Sequence, residues 1–236
     1  DLLALTLSEP HFDAAIFERE RAQSIDAQKA LLDNINAVAS ELYYETLYPE
    51  SLLSFTSKEL QDSLKSLSLD ELKQFRANFY NATDANFVIV GALERSDAEA
   101  IATRFSKLLG AGESLPKIEE ERPQLKAEYI THYFKSPQSR ILMGHPSIDY
   151  FDEDYLPLIL GNHILGGSGL TSQLMMKIRE EMGLTYGISS SFSPSFIAGP
   201  FTIALSTQNE RVDEAIEATQ ALLKNFIEHG PDEGAL

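Results

Sequence analysis

The stretch at residues 110–125 constrains this chain more than any other. It runs from Gly110-Ala111-Gly112 through Pro116 to Glu119-Glu120-Glu121-Arg122-Pro123, mixing glycine, proline and a charge run without apolar periodicity. Glycine weakens helices and strands and proline removes a backbone donor, so the segment reads as a linker. The expected division is residues 1–112 as one domain, 113–125 as the linker and 126–236 as a second domain. Of the 236 residues 43% are hydrophobic and 23% charged, which supplies enough apolar material for sizeable cores. There is no Cys, hence no disulfide framework, thiolate zinc site or cysteine nucleophile.

Charge narrows the partners. Nineteen Lys and Arg stand against 36 Asp and Glu, a formal charge of −17 with a sequence pI near 4.6. Such a surface repels a phosphate backbone and anionic lipid, so no nucleic acid is expected; it either attracts basic peptides or simply solvates the protein. No apolar run approaches the ~20 residues that span a bilayer. The chain opens on Asp1-Leu2-Leu3-Ala4-Leu5 without Met or a signal segment. It closes on Gly230-Pro231-Asp232, where Gly-Pro ends one helix and Asp232 can cap another. It is therefore read as an excerpt.

Periodicity assigns the elements. Asp13 can cap a helix running to about Leu32, and Ile35, Val38, Ala39, Leu42, Tyr43 and Thr46 form an amphipathic stripe with one face inward. Ser/Thr-x-x-Glu boxes predict helix starts at Thr56/Glu59, Ser68/Glu71 and Ser96/Glu99. Asn86–Gly91 is short, apolar and β-branched, the pattern of a buried strand. Beyond the linker, Ala127–Lys135, Arg140–Gly144, Leu184–Phe192 and Phe201–Ser206 read as strands, and Asp152–Leu165 and Leu170–Met182 as helices. A last helix carries Val212, Ala215, Ile216, Thr219, Leu222, Leu223 and Phe226 on one face. The class is α+β: in each domain a mainly antiparallel sheet with helices on one face.

The chemistry-bearing residues form no self-contained active site. His11, His132, His145, His163 and His229 are scattered, and none has another at helical spacing for a zinc pair. Gly166-Gly167-Ser168-Gly169 lacks the Lys of a P-loop and follows a helix, so by itself it reads as a turn. Asp152-Glu153-Asp154 and Glu180-Glu181 either bind a hard cation or cap and solvate helices. Arg179 by itself only complements a helix dipole, and Tyr186 by itself reads as a core tyrosine with a local hydroxyl partner.

Taken together, Ile164-Leu165-Gly166-Gly167-Ser168-Gly169-Leu170-Thr171-Ser172-Gln173-Leu174 and Ile178-Arg179-Glu180-Glu181-Met182-Gly183-Leu184-Thr185-Tyr186 resemble the second domain of the pitrilysin/insulinase-type metallopeptidases. This inverted-zinc-motif family includes the mitochondrial processing peptidase subunits. Phe12-Asp13 through Glu18-Arg19-Glu20-Arg21 resembles the helix after its zinc-binding half, Asn86–Gly91 its first-domain strand, and Asp152–Gly167 the helix entering its glycine loop. The resemblance implies paired α+β domains facing each other across a closed chamber, with zinc held by a His-x-x-Glu-His helix and a later Glu. It places that helix ahead of Asp1. The third ligand falls seven residues after the position matched by Glu20, where this chain has Ala27 beside Asp26. A methyl group cannot bind zinc, so the chain resembles the family's non-catalytic subunits, with no metal of its own and zinc in a catalytic partner of the same family.

By the same resemblance, Arg179 and Tyr186 reach toward a bound peptide and support its transition state. Gly166, Gly167 and Gly169 match a loop that handles substrate. Two other readings stay open: an excerpt of a self-sufficient zinc peptidase with its motif upstream, or a scaffold subunit like those embedded in respiratory complexes. Export to a periplasm is expected by analogy with inactive subunits of two-membrane bacteria.

Overall fold

Local hydrogen bonds start the helices of the first half. The structure is a computed structural model that describes residues 2–116 and 126–231. The chain divides into two units, one of Asp1–Lys29 with Lys58–Ile118 and one of Ala30–Ser57 with Glu119–Leu236. Residues 30–57, which the sequence places in the first domain, cluster with the second unit. The proposed linker lies outside the described residues over 117–125, as does the cap expected at Asp232.

The first unit is built on α1 (Leu2–Ser8), most of α2 (Ala14–Leu31), α4 (Ser57–Ser66), α5 (Leu69–Phe79) and α6 (Arg95–Leu109). Asp13 opens α2 as expected, its carboxylate accepting from the Ile16 N–H at 2.9 Å. At α5 the Ser68 hydroxyl accepts from the Glu71 N–H, and the Glu71 carboxylate accepts from the Ser68 N–H at 2.8 Å, a complete capping box. The box expected at Ser96/Glu99 does not form. Helix α6 begins earlier, behind Glu94, because Glu99 is engaged by Arg95 Nε at 2.7 Å, one helical turn away.

Asn86–Gly91 is a second correction. The segment pairs with no strand among the described residues, and Val88 and Val90 are 88% and 92% exposed. Phe87 and Ile89 are less exposed than the valines, the alternation of a strand with one packed face. The Phe87 ring meets Phe105 of α6 edge-on at 5.3 Å. A strand needs a ladder partner, and apolar content within the segment cannot supply one.

The second unit holds a three-stranded antiparallel sheet in the order β1-β3-β2, with β1 Gln138–Pro146, β2 Ile188–Phe192 and β3 Pro200–Gln208. Gln138 stands opposite Gln208, and Ile188 opposite Leu205. Phe201, Ile203 and Leu205 face a core completed by Leu174, Ile178 and α8 (Val212–His229). The stripe predicted on α8 is the one observed: Ala215 and Thr219 are fully buried, with Ile216, Leu222 and Phe226 against the same core. Ala127–Lys135, expected as a strand, forms no ladder among the described residues.

On the opposite face of the sheet β3 carries small residues. Arg140, Leu142 and Gly144 of β1 lie across from Ser206, Ala204 and Thr202 of β3, and directly opposed residues share a face. Helix α3 (Ile35–Leu47) approaches here, capped by the Asn34 side chain. The Tyr43 hydroxyl donates to the Phe201 carbonyl at 3.1 Å and lies 3.0 Å from Thr202 Oγ1. Gly144 permits this contact, since a Cβ there would stand 2.0 Å from the Phe201 carbonyl oxygen and 2.1 Å from the Tyr43 hydroxyl.

Candidate functional site

The site begins where a helix is laid against β2. Helix α7 (Tyr155–Asn162) starts three residues after Asp152 and continues as a π-helical turn, His163–Gly167, rather than staying α-helical to Leu165. Asn162 Nδ2 donates to the Ser190 carbonyl at 3.0 Å, and Ser190 Oγ donates to Asn162 Oδ1 at 2.6 Å. The backbones then approach so closely that a Cβ on Gly166 would lie 2.6 Å from the Ser190 nitrogen. Gly166 is buried, whereas Gly167 and Gly169 are exposed.

The expected helix Leu170–Met182 is likewise not continuous. A 3₁₀ turn at Gly169–Thr171 leads into a short α-helical start and then a π-helical stretch, Met175–Glu181. Ser172, fully buried, donates from its hydroxyl to the Gly169 carbonyl at 2.9 Å. π-Helical turns are rare and frequent at functional sites. Arg179 lies in this stretch, 35% of its side chain exposed, with a guanidinium nitrogen 3.4 Å from the neighbouring Glu180 carboxylate. That spacing leaves guanidinium donors available.

Gly183 stops the helix at φ +59, a left-handed conformation, while the Leu184 N–H returns to the Ile178 carbonyl at 3.0 Å. β2 therefore starts at Ile188, not Leu184. The connection is fixed from both sides: Thr207 Oγ1 donates to the Leu184 carbonyl at 2.6 Å, and Thr185 Oγ1 lies 2.6 Å from the Ser206 carbonyl while accepting from the Gly187 N–H at 3.1 Å. Between these anchors Tyr186 points outward, 85% exposed. It is not a core tyrosine. Arg179 and Tyr186 thus sit at the end of a helix and on the pinned turn that follows it.

Ala27 lies exposed on α2. Its neighbour Asp26 is paired with Lys29 at 2.8 Å, and Glu20 with Arg19 at 2.7 Å, both on the helix surface. A methyl group at the implied third-ligand position and carboxylates engaged in local ion pairs do not fit a zinc ion. Among the described residues no three His, Asp or Glu side chains gather where a metal could sit.

A second feature escaped sequence reasoning. A cavity of about 1100 Å³ opens between the apolar stripe of α3, residues 126–132, β1 and Val212 and Ile216 of α8. Arg140 lines it, and its Nε is buried without a hydrogen-bond partner. Burial lowers the pKa of this guanidinium from its ordinary value. The available signal was an Arg inside an apolar strand, alternating with Ile141. Burial also pushes the Tyr43 phenol, at the same cavity, up to about 12, opposed by its hydrogen bond with Thr202.

Comparison with known proteins places this geometry in a family. The family model described as the peptidase M16 inactive domain matches residues 66–236. The chain is 24% identical over 227 residues to a Bacillus subtilis protein described as the uncharacterized zinc protease YmxG, covering 95% of this chain and 54% of that protein. It is 25% identical over 229 residues to the Helicobacter pylori non-peptidase homolog YmxG, covering 95% and 52%. The chain spans about half the length of these curated relatives. A crystal structure of a peptidase M16 inactive domain from Pseudomonas fluorescens superposes with a TM-score of 0.93 at 33% identity, over 99% of this chain and 57% of that one.

Proposed function

The chain belongs to the peptidase M16 inactive-domain family, and on that premise we propose that it comes from the non-catalytic, substrate-binding subunit of a heterodimeric zinc metalloendopeptidase acting on peptides. The observation that carries the reading is the accessible pair of donors: Arg179 at a helix end and Tyr186 on a turn held by Thr185 and Thr207. Guanidinium and phenol suit a peptide carbonyl whose oxygen gains negative charge as the bond is attacked. A turn fixed by side-chain hydrogen bonds presents the phenol from a backbone already in place, leaving only the side chain to be ordered. Ala27 and the paired Asp26 support assigning the zinc to the partner subunit.

The charge of −17 favours basic peptides. Gly167 and Gly169, exposed beside the π-helical stretch, are proposed to contact substrate, with Gly166 fixing the loop against β2. Export to a periplasm belongs to the same proposal; among the described residues no helix is long and apolar enough to cross a membrane. The test uses the full-length protein with a candidate catalytic subunit, zinc stoichiometry and a quenched fluorescent peptide. No zinc in the chain and turnover only in the mixture are expected, with Arg179→Ala and Tyr186→Phe each lowering turnover on the order of 10²–10³-fold. About one zinc per chain with turnover alone would overturn the reading. Undiminished turnover in both variants would leave a scaffold.

A further inference from the structure

The cavity beside β1 combines features that a merely loose region of packing would not have. Its floor is an edge strand: in the order β1-β3-β2 one side of β1 has no ladder partner among the described residues. Its roof is the apolar face of α3, where Ile35, Val38 and Leu42 are only partly buried. At about 1100 Å³ it exceeds a pocket for a small molecule. An unpaired strand edge beside an apolar wall is the arrangement that accepts an extended peptide as an added strand.

The charge at this place is specific. Arg140 shares a face of β1 with Leu142 and Gly144, the face that α3 approaches through Tyr43. No ion pair or hydrogen bond joins its side chain to another described residue, and the buried Nε is an orphaned donor. Glu45 and Glu128 also line the cavity, yet neither pairs with it. Arg140 is half-buried, and a buried Nε–H left without an acceptor is costly, so the site favours a ligand that brings one.

We propose that this cavity binds an extended peptide along the free edge of β1, and that Arg140 receives a carboxylate of that peptide, from an acidic side chain or from its C-terminus. The inference deepens the peptide-binding reading and rests on it. It is compatible with the acidic surface: the overall field draws basic segments, and a single carboxylate, which every free peptide C-terminus carries, docks at Arg140. A carboxylate accepts two parallel N–H bonds from a guanidinium, so the contact also sets the peptide's register.

The test needs no partner subunit and no turnover. Three fluorescent peptides of about ten residues, rich in Thr, Val and Ser, share one sequence: one with a central Glu and an amidated end, one with Gln and an amidated end, one with Gln and a free C-terminal carboxylate. Binding to the full chain is followed by anisotropy. At least one carboxylate peptide is expected to bind about tenfold or more tightly than the neutral one, and which does so identifies the source. Arg140→Gln is expected to erase that preference while the neutral peptide binds as before. Arg140→Lys keeps the charge without the planar fork and is expected to retain part of it, which covers the case in which the Gln variant fails to fold. Equal affinity for all three peptides, no binding of any, or a preference that survives Arg140→Gln would overturn the proposal. The two readings fail separately: a preference intact while turnover ignores Arg179 and Tyr186 removes the catalytic-support role and leaves this site standing.

Discussion

Gly144→Ala probes the contact that joins α3 to the sheet. The new Cβ would fall 2.0 Å from the Phe201 carbonyl oxygen and 2.1 Å from the Tyr43 hydroxyl, whereas ordinary contact begins near 3.4 Å. Tyrosine can swing away, but the carbonyl belongs to β3 and cannot move without breaking the ladder on which Gly144 faces Thr202. Overpacking of this kind costs about 1–3 kcal/mol, and displacing the Tyr43 hydroxyl from Phe201 and Thr202 adds about 0.5–1.5 kcal/mol. The expected loss is roughly 1.5–4.5 kcal/mol, read from urea unfolding with an unchanged slope. Tyr43→Phe alone loses the hydrogen bonds, and in the double variant it also removes the clash with the hydroxyl. The double variant should therefore be more stable than the sum of the single losses predicts, by about 0.5–1.5 kcal/mol. A loss below about 0.5 kcal/mol for Gly144→Ala, or strict additivity in the cycle, would refute the account.

Two further outcomes follow from single residues. Gly183 stops its helix at φ +59 with open space where a Cβ would stand, so Gly183→Ala should cost about 1 kcal/mol through backbone strain alone, and Gly183→Asn less; urea midpoints of the two variants check this. The Tyr43 phenol, held protonated to about 12 by burial while an unfolded chain ionises near 10, binds its proton more tightly when folded. Its contribution is intact below pH 10 and is lost as pH rises from 10 toward 12. Stability at pH 11 relative to pH 9 should fall more in the native chain than in Tyr43→Phe, an equal fall arguing against a buried phenol.

What the sequence reveals depends on how far each element reaches for its partners. The Ser68/Glu71 box is legible because donor and acceptor lie within one helical turn, and the α8 stripe because its period repeats. The same Ser-x-x-Glu pattern misleads at Ser96, where Arg95 competes for Glu99. Asn86–Gly91 and Ala127–Lys135 have strand composition, yet a ladder depends on a neighbour that no local pattern encodes. The site divides similarly. Family resemblance singles out Arg179 and Tyr186 as candidates, but the exposure of Tyr186 follows from hydrogen bonds to Ser206 and Thr207, some twenty residues on. For Arg140 only its place in an apolar strand is legible, because an unsatisfied donor is defined by what surrounds it in space.

The π-helical stretch Met175–Glu181 makes the aim of Arg179 a matter of counting. Each of its hydrogen bonds encloses one residue more than an α-helical one does, so the stretch behaves as a helix with a residue to spare. A deletion or insertion upstream of Arg179 that the wider turns do not absorb would turn every side chain beyond it by about 100°. Seven residues separate Arg179 from Tyr186 whatever happens upstream, yet the direction in which the guanidinium points is set by the length of the segment leading into it. Substitutions along this helix tune contacts; insertions and deletions re-aim the site. Variation in length there is the change by which a chain of this fold could re-aim Arg179 while keeping every residue around it.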